Sequence, residues 1–252
     1  MRRAFRWRDF RGPSIALGIY LLLAAMPGVW EAVLGFLFPQ EARLLYPDAT
    51  MLEMIGRHVN LVLASSVLSV VIGVGLGIFV TRPAGEDFFG VVADLTNLGQ
   101  TFPPVAVFTL AIPLLGLGFK PTVLALTIYG VLPILQNTIA GLTGLSESVL
   151  ESATGMGMGR NQRLWRVELP LAMPLILAGV RVSVVINVAT ATIGAIANAG
   201  GLGSPIINGL VNLDPAVTLQ GAILAAGLAL ILDAYLGAVE RTLARPMRSA
   251  RY

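Results

Sequence analysis

The sequence predicts an all-α, polytopic membrane protein, and three observations carry that prediction. Of its 252 residues, 56% are hydrophobic and only 12% charged, whereas a soluble domain carries about 25% charge. Apolar runs follow one another along nearly the whole chain, with a mean hydropathy of +0.80. They leave no stretch for a separate soluble domain, so residues 1–252 read as a single transmembrane domain. Six runs approach the roughly 20 apolar residues that a helix needs to cross a bilayer core of about 30 Å: 14–38, 58–80, 90–115, 122–143, 172–197 and 218–240.

The first run follows MRRAFRWRDFRGPS. It is longer than the apolar region of a secretory signal, and no small-residue cleavage site follows it, so it reads as a retained anchor. The third run is interrupted by Thr101, Pro103, Pro104 and Pro113; a full span and a short re-entrant pair both remain open there. Residues 39–57 mix acidic, basic and apolar groups and are expected along the membrane interface, with Trp7, Trp30 and Tyr46 in the aromatic belts. AGGLG at 199–203 lacks the preceding strand and following Lys-Ser/Thr of a phosphate-cradling loop. It reads as an outer gate turn. The sole histidine, His58, has no carboxylate or second histidine close in sequence, so no metal site is expected and His58 reads as an interfacial residue. With no cysteine there is no disulfide and no thiolate chemistry.

A net charge of +3 raises nucleic acid as a partner, but the arginines cluster at the chain ends and in short loops, which is the signature of membrane orientation. Arg2, Arg3, Arg6, Arg8, Arg11, Arg82, Arg160, Arg163, Arg166, Arg241, Arg245, Arg248 and Arg251 fall on one side if there are six passes. Arg43, Arg57 and Lys120 fall on the other, so both termini are expected in the cytoplasm.

Residues 144–171 form the longest internal hydrophilic stretch. Ser146 or Ser148 can cap a helix whose first turns hold Glu147 and Glu151, where the helix dipole favours acids. Gly155, Gly157 and Gly159 then loosen the chain, and a second amphipathic stretch rich in arginine runs to Pro170, which is expected to stop it. This stretch resembles the EAA loop of type I ABC importer permeases. Glu151, Ser152 and Ala153 match the Glu-Ala-Ala, Gly157 the following glycine, and Val167, Leu169 and Pro170 the closing Ile-x-Leu-Pro; Ser152 replaces the first alanine. The resemblance implies that these residues dock in an ATPase groove as a coupling helix, with Ala153 and Gly157 kept small by the covering subunit.

The text around 98–142 and 170–203 is similar to permeases for glycine betaine, choline and related quaternary amines, with an ABC permease core at about 55–240. Methionine-type permeases share the architecture. The resemblance implies several partners: two ABC ATPase subunits carrying the ATP and Mg, a second permease chain, an extracytoplasmic substrate-binding protein and membrane lipid. It implies no cofactor on this chain and no enzymatic activity of its own, in keeping with the absence of a GxxxxGK[ST] loop. An ion-coupled secondary transporter is the alternative of another class, with Asp233 as its one available acid.

Arg181 and Asp233 lie at matched depth in the fifth and sixth segments and are expected to form an intramembrane ion pair. Asn187, Thr190 and Gly194 share a helical face, as do Asp94, Asn97, Thr101 and Pro104, while Tyr129, Gln136 and Asn137 add polar groups on the fourth segment. These side chains either glue helices together or line the pathway.

Overall fold

The computed structural model describes residues 8–248, apart from the side chains of Arg8, Thr96, Asn97, Gln100 and 244–248. Trp7, Arg2, Arg3, Arg6 and Arg251 therefore lie outside the described residues, as does the Asn97 side chain. Every regular element among the described residues is helical.

The first run is a bent pair. Helix α1 (Arg8–Ala24) and helix α2 (Pro27–Leu37) meet at 78°, because Pro27 sits in the first turn of α2 and cannot continue the hydrogen-bond ladder of α1. Helix α3 (Met51–Val80) starts on a capping box, in which the Thr50 hydroxyl accepts from Glu53 N–H and the Glu53 carboxylate accepts from Thr50 N–H.

The third run is two short helices, α4 (Phe89–Thr101) and α5 (Pro104–Leu115), separated at Phe102 and Pro103. At 13 and 12 residues each is too short to cross a 30 Å core alone. The carbonyl of Phe102, left without a helical donor, accepts from the Tyr129 hydroxyl on helix α6 (Phe119–Thr143). The chain then enters the loop helices α7 (Glu147–Gly155) and α8 (Arg160–Arg163), the long helix α9 (Leu169–Ala191), the short α10 (Gly203–Asn212) and finally α11 (Pro215–Arg248).

Four helical stretches are long and apolar enough to span a membrane singly, or five spans if the bent α1–α2 pair counts as one. The sixth expected crossing is not one continuous helix. Its place follows from glycine packing between α3 and α6. The bare backbone of Gly73 lies against Ile134, that of Gly77 against Thr138, and Gly130 against Ser69. Partner positions rise together along both helices, so α3 and α6 run parallel. The chain must therefore return between them, and α4–α5 does so antiparallel to α6: Gly99 faces Leu132, Phe102 meets Tyr129, and Phe108 packs with Ala125. The two proline-separated helices together carry the chain back along α6.

Helix α9 packs antiparallel to α6, with Gly141 facing Ala172 and Gly179 facing Asn137. The main core joins α3, α6, α9 and α11 through Met54, Leu61, Leu126, Val188 and Leu224. The bundle thus has two ends. One holds Arg82, the loop 144–168 and the C-terminal part of α11; the other holds residues 38–50, His58 and the AGGLG turn.

Candidate functional site: the loop end, the polar interior and the opposite turn

At the loop end, Ser146 takes the N-cap position of α7. Its hydroxyl bonds the Ser148 hydroxyl at 2.6 Å and caps no backbone N–H, unlike the expected side-chain cap. The helix closes on a two-bond C-terminal motif in which Gly157 N–H donates to Thr154 C=O and Met158 N–H to Ala153 C=O. That closure puts Gly157 at φ +81°, where a Cβ is strained although the space around it is open. Gly157 is thus required by backbone conformation within this chain. Ala153 is likewise 1% exposed within the chain itself, so its small size is fixed by its own fold. Glu151 and Ser152 face outward beside Met156, which is 70% exposed.

Pro170 does not stop the second stretch. Residues 160–191 run on as one helical span through a wider π turn at Leu164–Glu168, where Leu169 N–H reaches back to Leu164 C=O. Proline in the first turn of a helix costs no bond, and the π turn absorbs the change of register before it. Val167 is half-buried, Leu169 buried and Pro170 exposed, while Trp165 stands out at 69% exposure.

Sequence reasoning missed Glu168, the unassigned position inside the closing motif. It is 4% exposed and its carboxylate accepts from Arg82, just beyond α3, and from Arg163 Nε at 2.7 Å. Arg163 in turn donates to Thr154 Oγ1 on α7 at 3.1 Å. A single carboxylate thus ties the end of α3 to the loop helices. The signal was present as a lone acid among three arginines, but its partner Arg82 is too distant in sequence to be read.

In the interior, Arg181 donates from Nε and Nη2 to the two carboxylate oxygens of Asp233 at 2.6 and 2.8 Å, and from Nη1 to Glu240 at 3.4 Å. The polar residues divide into two sets. Asn187, fully buried, donates to Ser65 and Ser66 on α3, Thr190 is buried beside it, and Asn137 returns its amide to Pro133 C=O at 2.8 Å. Of these, Asn187 bonds across two helices, whereas the Asn137 amide stays within α6. Thr101 and Gln136 are exposed on the chain surface, with Tyr129 partly so.

At the opposite end, His58 is not interfacial. It is fully buried; Leu202 N–H donates to Nδ1 at 3.2 Å, and Nε2 lies 3.0 Å from Val188 C=O. An Nδ1 that accepts leaves the proton on Nε2, which donates to Val188, so the neutral ring is satisfied on both sides. His58 therefore pins the AGGLG turn to α3 and α9. The turn needs this anchor because Asn198, Gly200 and Gly201 all have positive φ. Among the described residues no cluster of His, Cys, Asp and Glu fits a metal.

Comparison with known proteins bears on this arrangement. The chain is 38% identical over 225 residues to an osmoprotectant import permease protein of Salmonella typhimurium, covering 89% of this chain and 92% of that one. It is 38% identical to a glycine betaine/carnitine/choline transport system permease protein of Bacillus subtilis, over 83% of this chain and 92% of that one. The fold is similar to inward-facing structures of the MetNI methionine ABC transporter, with a TM-score of 0.68 at 20% identity, covering 76% of this chain and 95% of that one. Residues 73–245 match the family described as binding-protein-dependent transport system inner membrane component, and the chain belongs to that family of multi-pass membrane permeases.

Proposed function

We propose that this chain is the membrane-spanning permease subunit of an ABC importer for osmoprotectants of the quaternary-amine class, such as glycine betaine, choline and carnitine. The observation that carries the reading is the loop 144–171, in which a short helix with an outward face of Glu151, Ser152 and Met156 is bolted by Glu168 to a membrane-spanning helix. Relatives whose names give those substrates support the solute class. In this reading two separate ATPase subunits hold ATP and Mg and receive α7, and a second permease chain completes the pathway. An external binding protein delivers the solute. Thr101, Tyr129 and Gln136, open on the chain surface, face that pathway. The ion-coupled alternative loses its coupling acid, because Asp233 is held by two bonds to Arg181.

Reversing the charge at Glu151 tests the docking. With the native ATPases and binding protein, Glu151→Lys is expected to lower glycine betaine uptake and stimulated ATP hydrolysis together, by at least about tenfold, since one lost charge-assisted contact is worth about 1.5–3 kcal/mol. Membrane expression stays normal because the residue is exposed. Normal uptake and normal co-purification of the ATPase would remove the assignment. Arg82, Arg160, Arg163 and Arg166 at the loop end motivate cytoplasmic termini. In this cysteine-free chain, Asn161→Cys is then expected to react with an impermeant maleimide only in inside-out vesicles; reaction in intact cells would reverse the orientation.

A further inference from the structure

At the end of the bundle opposite the coupling loop, a cavity of about 320 Å³ opens between residues 46–57 and the AGGLG turn. Its walls carry Tyr46, Asp48, Arg57, Asn198 and Ser204 together with the bare backbone of Gly200 and Gly201. The volume is at the lower end of the range for small-molecule pockets. A second cavity of about 270 Å³ shares Tyr46, Asn198 and Ser204 and continues along Asn208 and Asn212. Ser204, Asn208 and Asn212 recur every four residues, so α10 turns one polar stripe toward this furrow.

Both walls are built rather than incidental. Tyr46 is fixed by its N–H donating to Oε1 of Gln220, which is 1% exposed. The facing turn is fixed by His58 through Leu202, and Ala199 N–H donates to Gly194 C=O. The cavity holds one acid and one base that do not pair with each other among the described residues. Arg57 lies one helical turn from Glu53, but that carboxylate is already committed to the Thr50 cap, and Arg57 remains exposed against Gly200. Asp48 is exposed beside the Tyr46 hydroxyl. Burial, and then the Asp48 carboxylate, hold the Tyr46 pKa above the usual phenol value, so the group stays an O–H donor.

A cavity that receives only cations would show an excess of acid, and one that receives only anions an excess of base. This one shows a separated acid and base, with an aromatic ring on the acidic side. We propose that it is the subsite where this permease receives a small zwitterion, the solute carboxylate meeting Arg57 and the quaternary ammonium meeting Asp48 and the Tyr46 ring. A guanidinium meets a carboxylate through paired N–H donors, and a quaternary ammonium is attracted to an aromatic face. The inference rests on the proposed import function and adds to it a location and a charge order.

Uptake of glycine betaine, carnitine and choline, each at a concentration below saturation, tests it in the intact complex with its native binding protein. Choline lacks the carboxylate. Arg57→Gln is therefore expected to lower betaine and carnitine uptake about tenfold relative to choline, the worth of about one charge-assisted hydrogen bond. Arg57→Lys restores part of the lost preference, and Asp48→Asn lowers uptake of all three solutes. Arg57 makes no bond to another described side chain, so the fold is expected to tolerate these changes. An unchanged betaine-to-choline ratio in Arg57→Gln overturns the proposal, including the case where all three fall equally because Arg57 docks the binding protein. A wild-type complex that imports none of the three removes the functional reading itself, and this inference with it.

Discussion

Glu168→Gln is expected to uncouple the transporter, with binding-protein-stimulated ATP hydrolysis and uptake both falling at least about tenfold while the protein still inserts in the membrane. The carboxylate accepts from Arg82 and Arg163 while itself 5% exposed at the side chain. Glutamine keeps one acceptor oxygen but turns an NH₂ toward the second guanidinium, so two cations then face each other without compensation. Breaking a fully buried pair costs about 3–5 kcal/mol. Here the arginines are 24% and 26% exposed, and about 2–3 kcal/mol is expected after allowing for that solvent access. The helix core of Met54, Leu126 and Leu224 does not depend on this contact, so insertion survives while the tie between α7 and α3 slackens. Arg82→Gln and Arg163→Gln should reproduce the defect. The measurement is the ratio of stimulated to basal ATPase rate beside solute uptake. A wild-type ratio in Glu168→Gln would show that the carboxylate plays no part in transmission.

The second large effect is asymmetric. Arg181 serves two acids, Asp233 and Glu240, so Arg181→Ala removes the guanidinium that bonds two carboxylates about two turns apart on α11. Asp233→Ala leaves Arg181 still facing Glu240. We therefore expect about 2–4 kcal/mol of destabilisation for the first and about 1–2 kcal/mol for the second. These values lie below those of a fully buried pair because the side chains are 34% and 38% open in the single chain. The double alanine variant is expected to lose less than the two single losses added together. Thermal unfolding of the purified complex in lipid supplies the comparison. Strict additivity, or a greater loss from Asp233→Ala, would contradict this geometry.

The sequence carried the helical class, four to five of its six expected crossing segments and the position of the loop, because each is written in local runs of apolar residues and in prolines. The break at Pro103 and Pro104 was readable for the same reason. Arg181 and Asp233 were readable together since two charges at matched depth on antiparallel helices have few other partners. The roles that escaped are those set by distant contacts. His58 looks interfacial at the start of an apolar run, yet the AGGLG turn closes over it from more than a hundred residues away. Glu168 sits in a motif position with no assigned chemistry, and only the fold brings Arg82 to it. Gly157 and Ala153 were expected to be small for a docked subunit, whereas a helix cap and internal burial already require it. The continuation past Pro170 escaped because proline reads as a stop unless it occupies the first turn of a new helix.

Helix α3 has the Glu168 tie at one end and the His58 pin at the other, and its 30 residues extend about 45 Å at 1.5 Å per residue. At Gly73 and Gly77 its backbone lies close against Ile134 and Thr138 of α6. Should the proposed ATPases push at Arg82, the push is expected to reach the AGGLG turn as travel of one stiff rod. Such a device would need no relay of rotamer changes, and the expected delay between the two ends would be set by how fast the rod tilts. Substitutions that fatten its glycine seam would bend the rod and shorten its stroke while both ends keep their chemistry.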